Sequence, residues 1–204
     1  MDFRYLGLSG LKVSSYCLGT MTYGETTEEN DAHLQISEAF SSGINFIDTA
    51  EMYPTCPIRK ETSGETEKII GNWINNNKDK RKDIILATKV VGNGFKYIRD
   101  GGPITKETIK VALYGSLKRL KTDYIDLYQL HWPNRGSYHF RSYWNYKPEK
   151  QDSKNITDEF LDIINTLNDL KKEGLIRAIG VSNETCWGVM KLNEIVKEIE
   201  NLCI

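Results

Sequence analysis

Apolar residues along this chain fall into short runs of strand length, separated by longer segments of helical period. The runs at 16–19, 46–48, 84–90, 125–130 and 176–181 read as buried strands. Helical periodicity covers about 27–42, 64–76, 105–120, 157–173 and 184–200. The punctuation agrees. Thr26 or Thr27 stands as an N-cap before Glu28 and Glu29, Gly43 closes that helix, Thr105 caps the third and Gly174 ends the fourth. Residues 3–15 read as a hairpin around Leu8-Ser9-Gly10, and Leu202-Cys203-Ile204 reads as the start of a sixth strand.

Five strands alternating with five helices predict an α/β chain with a parallel sheet. Two architectures satisfy the pattern. One is an open, doubly wound sheet. The other is a TIM-type (β/α)8 barrel with about its first five βα units present, preceded by the hairpin. A Rossmann dinucleotide unit is disfavoured, because Gly19-Thr20-Met21-Thr22-Tyr23-Gly24 lacks the Gly-x-Gly-x-x-Gly spacing.

Ionisable side chains cluster where these strands end. Asp48 closes the second strand, Lys89 lies near the end of the third and His131 follows the fourth, while Tyr53 comes five residues after Asp48. In a parallel barrel the functional groups sit at strand C-terminal ends. The set suits reduction of a carbonyl by hydride, in which charge growing on oxygen must be met by a proton donor. Tyr53 fits the donor, Lys89 is expected to lower the phenol's pKa, Asp48 to orient Lys89, and His131 to offer a neutral N–H to the substrate oxygen. Each also has an ordinary reading: Asp48 as a turn former, Tyr53 as a packed loop aromatic, His131 as a satisfied core histidine. Lys89 resists one, since lysine is seldom buried without a partner. Tyr23, Trp132 and the aromatic stretch 138–146 either wall a substrate pocket or pack as surface loop.

Composition narrows the function classes. The 204 residues suffice for a single domain spanning 1–204, and a net charge of −1 gives no case for nucleic acid or an anionic membrane. The apolar runs fall far short of the roughly 20 residues of a membrane helix. The N-terminal Met1-Asp2-Phe3-Arg4 has no apolar signal core, so a cytoplasmic location is expected. Cys17, Cys56, Cys186 and Cys203 form no CxxC pair and the three histidines have no ligand spacing, so no metal is expected.

Three stretches resemble the signatures of the aldo-keto reductases: Gly43-x-Asn45-x-x-Asp48-Thr49-Ala50-x-x-Tyr53, Leu117-x-Arg119-Leu120-x-x-Asp123-Tyr124-Ile125-Asp126-Leu127, and Ile179-Gly180-Val181-Ser182-Asn183. Ala50-Glu51-Met52-Tyr53-Pro54, Gln129-Leu130-His131-Trp132-Pro133 and Gly180 to Thr185 resemble the bacterial Tas-type members. The resemblance implies a (β/α)8 barrel binding NADPH in extended form, and reduction of aldehydes or ketones to alcohols. It implies Asp48, Tyr53, Lys89 and His131 as a catalytic tetrad. Gly19, Thr20, Met21 and Asp48 would lie by the nicotinamide end of the cofactor, and Ser182 and Asn183 would hold its carboxamide. Ser182-Asn183 also reads as a helix N-cap. Such relatives continue through three more strands, whose loops grip the 2′-phosphate. The expectation is therefore a C-terminally truncated barrel that binds NADPH weakly or not at all. Against this stands a non-catalytic binding or regulatory subunit on the same scaffold. An independent doubly wound domain is a third possibility.

Overall fold

The computed structural model describes residues 1–140 and 143–197. Two antiparallel strands, β1 (Phe3–Tyr5) and β2 (Lys12–Ser14), form the N-terminal hairpin. Five parallel strands follow: β3 (Cys17–Gly19), β4 (Phe46–Asp48), β5 (Ile85–Val90), β6 (Ile125–Leu130) and β7 (Ile176–Val181). Helices α1 (Glu29–Ser41), α2 (Glu65–Asn76), α3 (Lys106–Leu120) and α4 (Ser153–Lys172) each carry the chain from one of these strands to the next, and α5 (Cys186–Lys197) follows β7. The expected sixth strand lies outside the described residues.

The five strands stand in the sheet in chain order, β3-β4-β5-β6-β7. A doubly wound sheet needs a point where that order reverses, and among the described residues there is none. Continuous forward winding with crossovers of the usual right hand sends every helix to one face, as in a barrel. The structure thus holds five successive βα units of a TIM-type barrel.

Alternation along the strands divides the core in two. Leu86, Val90, Tyr128, Leu130 and Ile179 pack with the apolar stripes of the helices, such as Ile69, Ile70, Trp73 and Ile74 of α2. A second cluster joins Ile85, Ala87, Leu127 and Ala178 of the strands to Leu11 and Val13 of the hairpin. Asn45, just before β4, fastens that hairpin. Its side chain accepts from the Ser14 N–H at 2.8 Å and donates to the Lys12 carbonyl at 3.0 Å. The hairpin therefore floors the barrel at the strands' N-terminal ends and leaves their C-terminal ends clear.

Some local expectations are corrected. β3 is not a buried strand: Cys17 and Gly19 are exposed and Leu18 half-buried, because β3 is the sheet's edge and pairs only with β4. α1 begins at Glu29 without a side-chain cap; the Thr27 hydroxyl instead meets that of Thr22 at 3.1 Å. α4 starts at Ser153, earlier than its periodicity suggests. Asp152 accepts from the Lys154 and Asn155 N–H groups, at 2.9 and 3.2 Å. Thr105 caps α3 as expected, in a reciprocal box with Thr108.

Two buried carboxylates brace the helix layer against the sheet. Glu67 of α2 accepts from the Thr88 hydroxyl at 2.6 Å and from Arg119 of α3 at 2.7 Å. Asp126 of β6 accepts from the Leu86 N–H at 3.0 Å and pairs with Arg81 and Arg177, at 2.9 and 2.5 Å. Partnered in this way, each charge escapes most of the cost of leaving water. α2 and α3 meet at Gly71, where a Cβ would stand 2.0 Å from the Arg119 carbonyl oxygen and 2.9 Å from the Leu120 backbone. Backbone cannot yield as a side chain can. Gly71→Ala should therefore cost at least about 2 kcal/mol despite alanine's better helix propensity, read as a lower midpoint in urea unfolding.

Candidate active site

The clear ends of the strands carry a hydrogen-bonded set built around Lys89. This residue is 5% exposed, and its ammonium donates to Asp48 Oδ2 at 2.6 Å and to the Thr49 carbonyl at 2.8 Å. Gln129, opposite Lys89 in the β5–β6 register, donates to Asp48 Oδ1 at 3.0 Å. Both carboxylate oxygens of Asp48 are thus held, and Lys89 is held with them.

Tyr53 reaches this set from the loop after β4. The Glu51 N–H donates to the Lys89 carbonyl at 3.2 Å, pinning that loop to β5. Glu51 is itself buried, and its carboxylate accepts from the Val91 N–H at 2.5 Å and from two nitrogens of Arg99, each at 2.6 Å. Lys89 Nζ lies 5.1 Å from the Tyr53 ring centroid. The His131 ring meets Tyr53 edge-on at 5.7 Å between centroids, and the His131 backbone N–H donates to the Val90 carbonyl. The structure therefore brings Asp48, Tyr53, Lys89 and His131 together.

Electrostatics alter one expected role. Burial, and then the charge of Asp48, push the Tyr53 phenol up to about 12. Lys89 does not lower it: the ammonium's charge is matched by Asp48, and the ring is partly withdrawn from water. His131 is driven down to about 3 by burial and then by the Lys89 charge, so its imidazole is neutral at physiological pH. Its Nδ1 is buried without a hydrogen-bond partner.

The residues expected beside a cofactor divide. Gly19 is exposed in register with Asp48, and no atom lies within 4 Å of where its Cβ would stand. Met21 is 46% exposed and lines the cleft described below. Thr20 has no exposure at all: its hydroxyl and N–H both donate to the Asp48 carbonyl, so it supports β4 and cannot touch a ligand. Beyond β7, the Ser182 N–H donates to the Leu130 carbonyl at 2.9 Å. The Asn183 amide donates to the His131 carbonyl and to Ser182 Oγ, each at 2.9 Å. These two do not cap α5; the Thr185 hydroxyl does, accepting from the Gly188 N–H at 3.1 Å. An open, side-chain-free strand end on one side of the set and an amide–hydroxyl pair on the other fit a flat ring with polar edges, such as a nicotinamide.

Over Tyr53 and His131 opens a cleft of about 960 Å³. Trp132 lines it, together with His139, Phe140 and Tyr146 from the aromatic stretch. Tyr23 does not. It is 1% exposed within the main core, where its hydroxyl donates to Gln35 at 3.1 Å and its carbonyl accepts from Thr66. The loops around the cleft are tied to one another. The Trp132 indole N–H donates to the Asn93 carbonyl at 3.1 Å, and the Asn93 amide to the Asn134 carbonyl at 2.9 Å. Asn134 and Ile104 exchange two hydrogen bonds, at 2.7 and 2.8 Å, and Arg135 pairs with Glu184.

The roles of Gln129 and of the Glu51–Arg99 pair are not legible in the sequence, although Gln129 and Glu51 both lie in the family-like stretches. Gln129 had a faint signal, a polar side chain two residues beyond Leu127 on the same strand face. Glu51 was visible only as an acid between Ala50 and Met52, and its partner lies 48 residues away.

Sequence comparison assigns the family. The sequence model of the Aldo/keto reductase family matches residues 16–203, and the chain belongs to that family. It is 43% identical over 194 residues to protein tas of Escherichia coli (strain K12), an alignment covering 94% of this chain and 54% of tas. Over 198 residues it is 36% identical to the uncharacterized oxidoreductase YrpG of Bacillus subtilis (strain 168), covering 94% of this chain and 52% of YrpG. Among solved structures, the aldo-keto reductase AKR11C1 from Bacillus halodurans in its holo form superposes with a TM-score of 0.70 at 35% identity. That superposition covers 99% of this chain and 55% of the other. The chain thus spans about half the length of the curated relatives it matches.

Two stability tests follow from the site. Unfolded histidine titrates near 6.5 and folded His131 near 3, so between these values the unfolded chain binds more protons and acid favours unfolding. Lowering the pH from 7.5 to 5 should remove about 2 kcal/mol of stability through this residue alone, and the urea-derived pH slope of His131→Phe should be shallower by that amount. Removing Glu51 would strand a nearly buried guanidinium. Glu51→Ala should cost about 3–5 kcal/mol, whereas adding Arg99→Ala should recover part of it in a double-mutant cycle.

Proposed function

We propose that this chain carries the acid–base centre of an NADP(H)-dependent reductase converting aldehydes or ketones to alcohols. The observation that supports this reading is the Lys89–Asp48–Gln129 network with a protonated Tyr53 and a neutral His131 at the mouth of one cleft. A nicotinamide cofactor, when bound, supplies the hydride that goes to the carbonyl carbon. The protein's own part is to accept the charge that appears on oxygen.

Tyr53 remains protonated at neutral pH and so arrives as a donor, not as a phenolate. As charge grows on the substrate oxygen, the phenol releases its proton there, with the Lys89 ammonium 5.1 Å from its ring centroid. Asp48 and Gln129 keep Lys89 in place through that step. His131, neutral and nearly buried, donates an N–H to the same oxygen without adding a competing positive charge. Gly19, Met21, Ser182 and Asn183 would hold the nicotinamide end. The form with a 2′-phosphate is the one the family resemblance implies. Among the described residues no helix is long and apolar enough to cross a membrane, and the small-molecule substrate on this reading would be met in the cytoplasm.

The test is NADPH oxidation followed at 340 nm with a panel of aldehydes. Tyr53→Phe should lower kcat by about 10²-fold or more while changing KM little, because the ring remains and only the proton is lost. Turnover that survives this substitution unchanged defeats the assignment.

A further inference from the structure

The cleft over the tetrad has an uneven charge that carbonyl reduction does not itself require. Among the described residues lining it are Arg135, Lys147 and Lys150, and no carboxylate. Arg135 is neutralised by Glu184. Lys147 precedes the short 3-10 turn at Pro148–Lys150 and Lys150 ends it; both are exposed and line the cleft, whereas Glu149 between them does not.

From the tetrad the wall continues through packed aromatic rings. His131 contacts Trp132 at 4.7 Å between ring centroids, Trp132 meets Phe140 edge-on at 5.5 Å, and Phe95 meets Trp132 at 6.0 Å. Ring edges and faces at these spacings suit a flat apolar body. Ammonium groups at the rim suit an anion, which they attract most strongly at low salt.

We propose that the cleft takes planar aromatic carbonyl compounds bearing a carboxylate or similar anionic group remote from the carbonyl. The carbonyl sits at Tyr53 and His131, the ring lies along Trp132 and Phe140, and the anion meets Lys147 and Lys150. Placement of the carbonyl rests on the reductase reading above; the preference for an anion does not.

Calorimetric titration of the chain with 6-formyl-2-naphthoate and with neutral 2-naphthaldehyde separates the two. At low salt the anionic probe should bind about tenfold tighter, as two partly solvated ion pairs allow. That advantage should shrink in about 0.5 M salt, where charges are screened within a few ångströms. It should vanish in Lys147→Gln/Lys150→Gln, whose exposed positions leave folding intact. Equal affinity for the two probes, or a preference untouched by the double substitution, overturns the proposal. So does a double variant that loses NADP⁺ affinity but keeps its naphthoate affinity, since the lysines would then serve the cofactor's phosphates. If the preference holds while wild type shows no Tyr53-dependent turnover, the anion site stands and the reductase reading fails.

Discussion

An ammonium group almost wholly removed from water must be matched, and at Lys89 that requirement organises the strand ends. A buried positive charge without partners costs far more than a domain's net stability can bear. Asp48 and the Thr49 carbonyl meet it, Gln129 holds the second oxygen of Asp48, and Thr20 fixes the backbone carbonyl of Asp48 from behind. Three strands and the turn after β3 meet at this one group. Ala87, one step below Lys89 on the same face, is small, and lies in the cluster that separates the charge from the hairpin floor. The same pairing explains why the phenol beside Lys89 is not acidified. A charge already balanced leaves little field for a neighbour, so Tyr53 stays protonated.

Much of the fold was legible because its signals are local. Strand-length apolar runs, helical spacing and Gly43 or Gly174 at helix ends require no knowledge of distant contacts. What failed did so for non-local reasons. Whether β3 is buried depends on what pairs with its far side, and whether Tyr23 faces a ligand depends on the packing of α1 against α2. The start of α4 is the local exception: Asp152 caps it four residues before the apolar periodicity sets in, while the Thr157 hydroxyl turns back to the Ser153 carbonyl. The choice between a doubly wound sheet and a barrel lay in strand order, which no single segment records.

The site was legible in the same uneven way. Lys89 stood out as a charge inside an apolar strand, and Asp48 and His131 as polar residues where strands stop. Gln129 did not, because an amide at one position of an alternating strand is unremarkable until the opposite strand supplies Asp48. The motif stretches are largely architectural: Asn45 fastens the hairpin, Arg119 neutralises Glu67, and Asp126 binds two arginines and a backbone amide. Most of the residues that make the chain recognisable keep the strand ends where the chemistry needs them.

The tied loops above the strands carry a consequence for remodelling. Trp132, Asn93, Asn134, Ile104, Arg135 and Glu184 link three successive βα loops into one rim. A segment grafted alone from another barrel would sever the bonds its neighbours rely on and strand one member of the buried Arg135–Glu184 pair. Selectivity in this scaffold is therefore inherited by the rim as a whole. Changing it by exchange of parts means moving all three loops together, while the strands beneath are left as they are.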